Sequence, residues 1–192
     1  MKTLIALLCV VTIAYASISQ NDWWGDCGTD PMTDIEDVGI INTAYSGLNS
    51  YLEAPKLYIG YVPENNDAWI SIIWGQFVGS SNMTCQARLD DGELQTIHLR
   101  ASNNGTTTHF GMSSKEATRF VESLASASQL IVRFTPYSSS PITATFRLEG
   151  LNYIMEQLGV KEVNSQIAYG IPSSTEYLKD PEFQPEPKPL IP

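Results

Sequence analysis

The chain has 192 residues, 43 % of them hydrophobic, enough for one domain with its own core plus an appendage. Twenty-one carboxylates against 11 Lys and Arg give a net charge of −10. That balance excludes a nucleic-acid partner or an anionic lipid surface, because both demand clustered Lys and Arg.

The first sixteen residues read as a secretory signal peptide. Met1-Lys2 is a basic start, Leu4 to Ile13 is an apolar run broken only by Thr12, and Ala14-Tyr15-Ala16 is a small-x-small cleavage site. The run is too short for a bilayer, which takes about 20 residues, and no later segment is apolar enough to make a stable membrane span. Leu8 before Cys9 does not fit a lipoprotein signal. The expected layout is a signal peptide over 1–16, a β-rich domain over 17–160 and a Pro-rich, extended tail over 161–192, with a periplasmic or secreted destination.

The body alternates like a half-buried antiparallel sheet. Lys56–Val62 and Asp67–Phe77 flank the turn residues Pro63-Glu64-Asn65-Asn66 and predict a hairpin, with Ala68, Ile70, Ile72 and Trp74 on one face. Met83–Leu89 and Leu94–Arg100 flank Asp90-Asp91-Gly92 and predict a second. A third joins a strand carrying Leu130, Val132 and Phe134 to one carrying Ile142, Ala144, Phe146 and Leu148. Arg and Thr alternate on the outward side of both. Ser113-Ser114-Lys115-Glu116 is a capping box opening a helix with the stripe Ala117, Phe120, Val121, Leu124. Leu151, Ile154, Met155 and Leu158 repeat the stripe before Gly159. The fold class is therefore mainly β, an antiparallel sandwich-like domain with two short packed α-helices. Beyond it, prolines alternate through Pro185-Glu186-Pro187-Lys188-Pro189, which favours extended polyproline II over a packed core.

Once Cys9 leaves with the signal, Cys27 and Cys85 remain. Two cysteines in an exported chain predict a Cys27–Cys85 disulfide, and across 58 positions such a bond stabilises by about 4 kcal/mol.

Several of these segments line up with one family. Asp30-Pro31-Met32-Thr33-Asp34, the tryptophan strand Ile70–Trp74, Cys85–Gly92, Leu130-Ile131-Val132-Arg133-Phe134-Thr135-Pro136-Tyr137 and Thr143–Leu151 occur in the order found in TagO/VasI-type accessory proteins of type VI secretion. Over roughly residues 22–158 the chain resembles that family. It departs where the family carries cysteines, having Gly60 in one such place, so the family's disulfide does not transfer. The resemblance implies an accessory role in the cell envelope, with an envelope protein or a peptidoglycan-related component as partner. It also leaves room for a phage-borne relative acting as an inhibitor or exclusion factor.

No nucleophile elbow, Gly-rich phosphate loop or His-x-x-x-His pair accompanies His98 and His109, so the reading is non-enzymatic, without cofactor or metal. A hydrolase with an unrecognised site is the remaining alternative. Asp34, Glu36 and Asp37 lack the spacing of a calcium loop. Arg88, Arg133 and Arg147 each face away from the apolar side of their strands. They form either a stripe for an anionic ligand or peptide carboxylate, or three arginines paired with neighbours such as Asp90 and Glu149.

The cleavage site makes a direct prediction. Intact mass of the exported protein should place its first residue at Ser17; a retained Met1 or a lipidated Cys9 would contradict it.

Overall fold

The structure, a computed structural model, describes residues 18–29, 36–79 and 83–160. The signal segment, the Asp30–Asp34 motif and the Pro-rich tail lie outside these. Ten strands and two helices follow in order: β1 (Ile18–Gln20), β2 (Trp23–Thr29), β3 (Glu36–Thr43), β4 (Lys56–Val62), β5 (Asp67–Ile73), β6 (Met83–Leu89), β7 (Gln95–Ala101), β8 (Thr107–Phe110), α1 (Ser114–Ser126), β9 (Gln129–Phe134), β10 (Ile142–Arg147) and α2 (Leu151–Gln157).

All strands belong to one sheet, ordered β1-β2-β3-β4-β5-β8-β7-β6-β9-β10, and every pairing is antiparallel. The three hairpins read from the sequence are present as β4–β5, β6–β7 and β9–β10. The two layers of the expected sandwich are the two halves of this one curled sheet. Trp74, just past β5, lies against Phe134 on β9, with ring centroids 5.0 Å apart, although three strands separate β5 from β9 in the sheet. Residues 44–46 run along the outer edge of β10: Tyr45 N–H donates to Thr145 O at 3.0 Å and Thr145 N–H to Ser46 O at 3.3 Å.

Period-two burial follows from the alternation. Val38, Ile40 and Asn42 on β3, Leu57, Ile59 and Tyr61 on β4, and Ala68, Ile70 and Ile72 on β5 turn inward. So do Cys85 and Ala87, Ile97 and Leu99, and Leu130, Val132 and Phe134 on β6, β7 and β9. Both helices pack on this inner side. Phe120 of α1 meets Phe110 of β8 at 5.7 Å between centroids. Ile154 and Leu158, on and just after α2, occupy the space that Gly25 leaves on β2. The capping box is formed: Glu116 N–H donates to Ser113 Oγ at 3.4 Å, and Ser113 N–H to Glu116 Oε2 at 2.9 Å. The buried Trp74 indole N–H donates to Thr108 Oγ1 at 2.9 Å, so its polar atom is satisfied inside the core.

The expected disulfide is not formed in this structure. Cys27 on β2 and Cys85 on β6 are both free thiols. Five strands lie between β2 and β6 in the sheet, and Cys85 is held on the inner face opposite Ile97.

Helix α1 is anchored mainly by Phe120. Truncation to Ala should cost about 3–5 kcal/mol, through lost burial and the cavity left behind. Tyr153→Ala, on the solvent side of α2, should change stability by less than about 0.5 kcal/mol. Urea unfolding of the two variants beside the parent checks both.

Candidate functional site: a basic sheet face

Charge is divided along the sheet. Strands β2 to β5 carry Asp26, Glu36, Asp37 and Asp67 against a single Lys56. Strands β6 to β10 carry no Asp or Glu, yet hold Arg88, Arg100, Arg133 and Arg147 together with His98 and His109. Those are four of the chain's five arginines, in a protein with 21 carboxylates. With the inner face taken by apolar side chains, every one of these groups projects from the outer face.

The registers show which of them meet. Gln86 pairs with Arg133, which pairs with Thr143, and Arg88 pairs with Ile131. Arg88 and Arg133 are thus diagonal neighbours on adjacent strands, roughly 7–8 Å apart. The exposed Thr84, Gln86, Thr96 and Thr143 surround them with hydroxyl and amide groups. Arg147 is not part of this pair. It sits at the far end of β10 opposite Gln129, its guanidinium lies over the Tyr45 ring at 4.5 Å, and it makes an ion pair with Asp22 at 3.8 Å. Both members of that ion pair are well exposed, so it contributes little to stability. The sequence stripe of three arginines is in the fold a close pair plus one arginine engaged elsewhere. Nor does Asp90 serve as their partner: its carboxylate accepts from the backbone N–H groups of Ser128 and Gln129, each at 2.9 Å.

A second group on this face was not read as a site from the sequence. Arg100 on β7 pairs with His109 on β8, which pairs with Ser71 on β5. Ser71 Oγ and His109 Nδ1 are 2.8 Å apart. A serine and a histidine in contact are two parts of a nucleophilic arrangement. Ser71, however, is only 2 % exposed, sunk between larger neighbours in the middle of a strand, where its oxygen does not face an incoming substrate. The signal for this group was strand β8, four residues long and preceded by a turn, which the alternation rule does not isolate.

The described residues contain no cluster of three or more His, Cys, Asp or Glu able to hold a metal, and no helix long and apolar enough to cross a membrane. Asp34 lies outside them. No family model and no curated protein matches the chain. Among solved structures, it is similar to the crystal structure of invasion associated protein B from Bartonella henselae, with a TM-score of 0.53 and 11 % identity, over 74 % of this chain and 95 % of that one. At that identity the likeness concerns the fold.

The thiols have a chemical consequence. Burial raises the Cys85 pKa to about 12. Burial, then the charges of Asp26, Glu36 and Asp37, raise that of Cys27. Both are therefore neutral in the folded protein at pH 8, and what their burial contributes to stability is fully present below the unfolded thiol range and lost as pH climbs above it. Iodoacetamide at pH 8 should modify Cys85 slowly in the folded protein. In denaturant without reductant it should modify both cysteines, as read by peptide mass spectrometry; a recovered Cys27–Cys85 disulfide peptide would refute the free-thiol arrangement.

Proposed function

We propose that this is an exported, non-enzymatic binding protein of the cell envelope, which captures an anionic partner on the outer face of β7, β6 and β9. The observation that carries the reading is the charge division: a five-strand block without a carboxylate, bearing four arginines, in a strongly acidic chain. The Arg88–Arg133 pair supplies two planar forks at a spacing suited to carboxylates of a partner surface, with Gln86 and the threonines as neutral donors and acceptors around it. The signal peptide supports export. The resemblance to TagO/VasI-type proteins supports an accessory role in type VI secretion, with an envelope protein or peptidoglycan-related component as partner. An envelope inhibitor or exclusion factor would use the same face.

Capture from an envelope extract, with the mature protein as bait, tests this. Arg88→Ala combined with Arg133→Ala should weaken capture by roughly one to two orders of magnitude, since a hydrogen bond to a charged group contributes about 1.5–3 kcal/mol when desolvated. Added salt should weaken capture by the parent. Arg147→Ala, which disturbs only the Tyr45 and Asp22 contacts, should change it little. Undiminished capture by the double variant would remove the basic face from the function. Loss of biological activity in a folded Ser71→Ala protein, with capture intact, would favour a hydrolase instead.

A further inference from the structure

The outer face of the acidic half has a different chemistry. Its side chains stand in register rows. One row is Trp24, Ile41, Tyr58 and Ser71; the next is Asp26, Gly39, Gly60 and Trp69. The two glycines leave the middle of the second row empty of side chains, and aromatic groups lie down into the gap. The Trp69 indole covers Gly60 so closely that a Cβ there would overlap it, and the Tyr58 hydroxyl reaches over Gly39. The Tyr58 and Trp69 rings are 6.3 Å apart between centroids and tilted by 42°. Trp69 is 36 % exposed and Trp24 43 %. The result is a low aromatic floor on the sheet.

Carboxylates border this floor. Asp26 stands in the glycine row, and its Oδ1 is buried without a hydrogen-bond partner among the described residues. Asp37 is two residues from Gly39 on β3, close enough that its charge, after burial, raises the Tyr58 pKa. Asp67 is two residues from Trp69 on β5. Lys56 lies at the opposite margin, two residues beyond Tyr58 on β4. Carboxylates standing at the border of an aromatic surface attract cationic N–H donors. The face of an indole or phenol ring attracts cations as well. A neutral sugar would use the rings and leave the charge uncompensated; an anionic partner would be repelled.

We propose that the Trp24–Tyr58–Trp69 floor with Asp26 and Asp37 is a second binding site, which takes arginine or lysine side chains from an extended basic segment of a partner protein. It is separate from the basic face and does not depend on it. Aromatic rings hold the aliphatic stem and the face of the cation, and the carboxylates take its N–H groups.

Tryptophan fluorescence of the mature protein reads the site directly, because Trp23 and Trp74 are buried while Trp24 and Trp69 are exposed. The probe is a blocked Gly-Arg-Gly-Arg-Gly peptide, with the glutamate analogue and a tetramer of N-acetylglucosamine as comparators. The arginine peptide should give a saturable change that salt weakens, and the comparators none. Asp26→Asn with Asp37→Asn, and separately Trp24→Ala, should each weaken binding by at least about tenfold. Asp91→Asn with Glu93→Gln, the same charge change in the β6–β7 turn, should leave it unaltered. Circular dichroism melts confirm that each variant is folded. The proposal is overturned by no saturable change at millimolar peptide, by equal losses in the two paired variants, or by tetrasaccharide binding that Trp24→Ala abolishes. Self-association that Asp26→Asn with Asp37→Asn abolishes would overturn it too, by assigning the floor to a second copy.

Discussion

The open edge of β10 is where this fold is made or lost. A curled antiparallel sheet of ten strands ends in two edges, and an exposed edge of unpaired backbone groups invites pairing with other chains. Here residues 44–46 cover β10 with two backbone hydrogen bonds to Thr145, and the buried Asn42 adds a third from its side-chain amide to Arg147 O at 3.0 Å. Gly47 makes the continuation possible: its φ is +89°, and any Cβ there would collide with the Thr143 carbonyl. The seal brings the inner faces of the two halves over one core. It also fixes Tyr45 beneath the Arg147 guanidinium, which is why that arginine is drawn away from Arg88 and Arg133.

Closure and charge division are linked. A flat sheet with an acidic half and a basic half would let each attract the other in a neighbouring molecule. Curling turns the two outer faces in different directions, so the arginines of β6 to β10 and the carboxylates of β2 to β5 are presented on different parts of the surface. The net charge of −10 is thus compatible with a locally basic surface. Composition alone speaks against an anionic partner, because it averages over faces that the fold keeps apart.

Much of this was legible in the chain. The three hairpins, both helices and the core residues on them follow from alternation and from the helical stripe, and each of those signals is a direct consequence of burying one face. Strands β1, β2, β3 and β8 were harder. Trp23-Trp24-Gly25-Asp26-Cys27-Gly28 shows no apolar alternation, since the partner that fills the space at Gly25 is α2, more than 120 residues further on. The diagonal placement of Arg88 and Arg133 required the β6–β9 pairing, which joins strands separated by two strands and a helix, and no local pattern encodes that register. The disulfide expectation rested on compartment and cysteine count, which carry no information about where the strands place the two thiols, and both are free here.

The same dependence on register governs the loop that follows the seal. Asn49 is buried, and its Oδ1 accepts the N–H groups of Tyr51 and Glu53 at 2.8 and 2.9 Å while its Nδ2 donates to Trp74 O at 2.7 Å. One side chain thereby ties residues 49–53 to the end of β5. The tie holds Leu52 at φ +64°, a conformation that costs a non-glycine residue about 1–3 kcal/mol, with its side chain 78 % exposed. Neither the strain nor the exposure stabilises the folded chain, yet three hydrogen bonds from a buried amide maintain both. The loop cannot relax without abandoning Asn49, and Asn49 cannot leave without stranding its amide in the core. Rigidity at this end of the sheet is therefore a by-product of polar satisfaction, and it extends the fixed framework from the β10 seal to the end of β5.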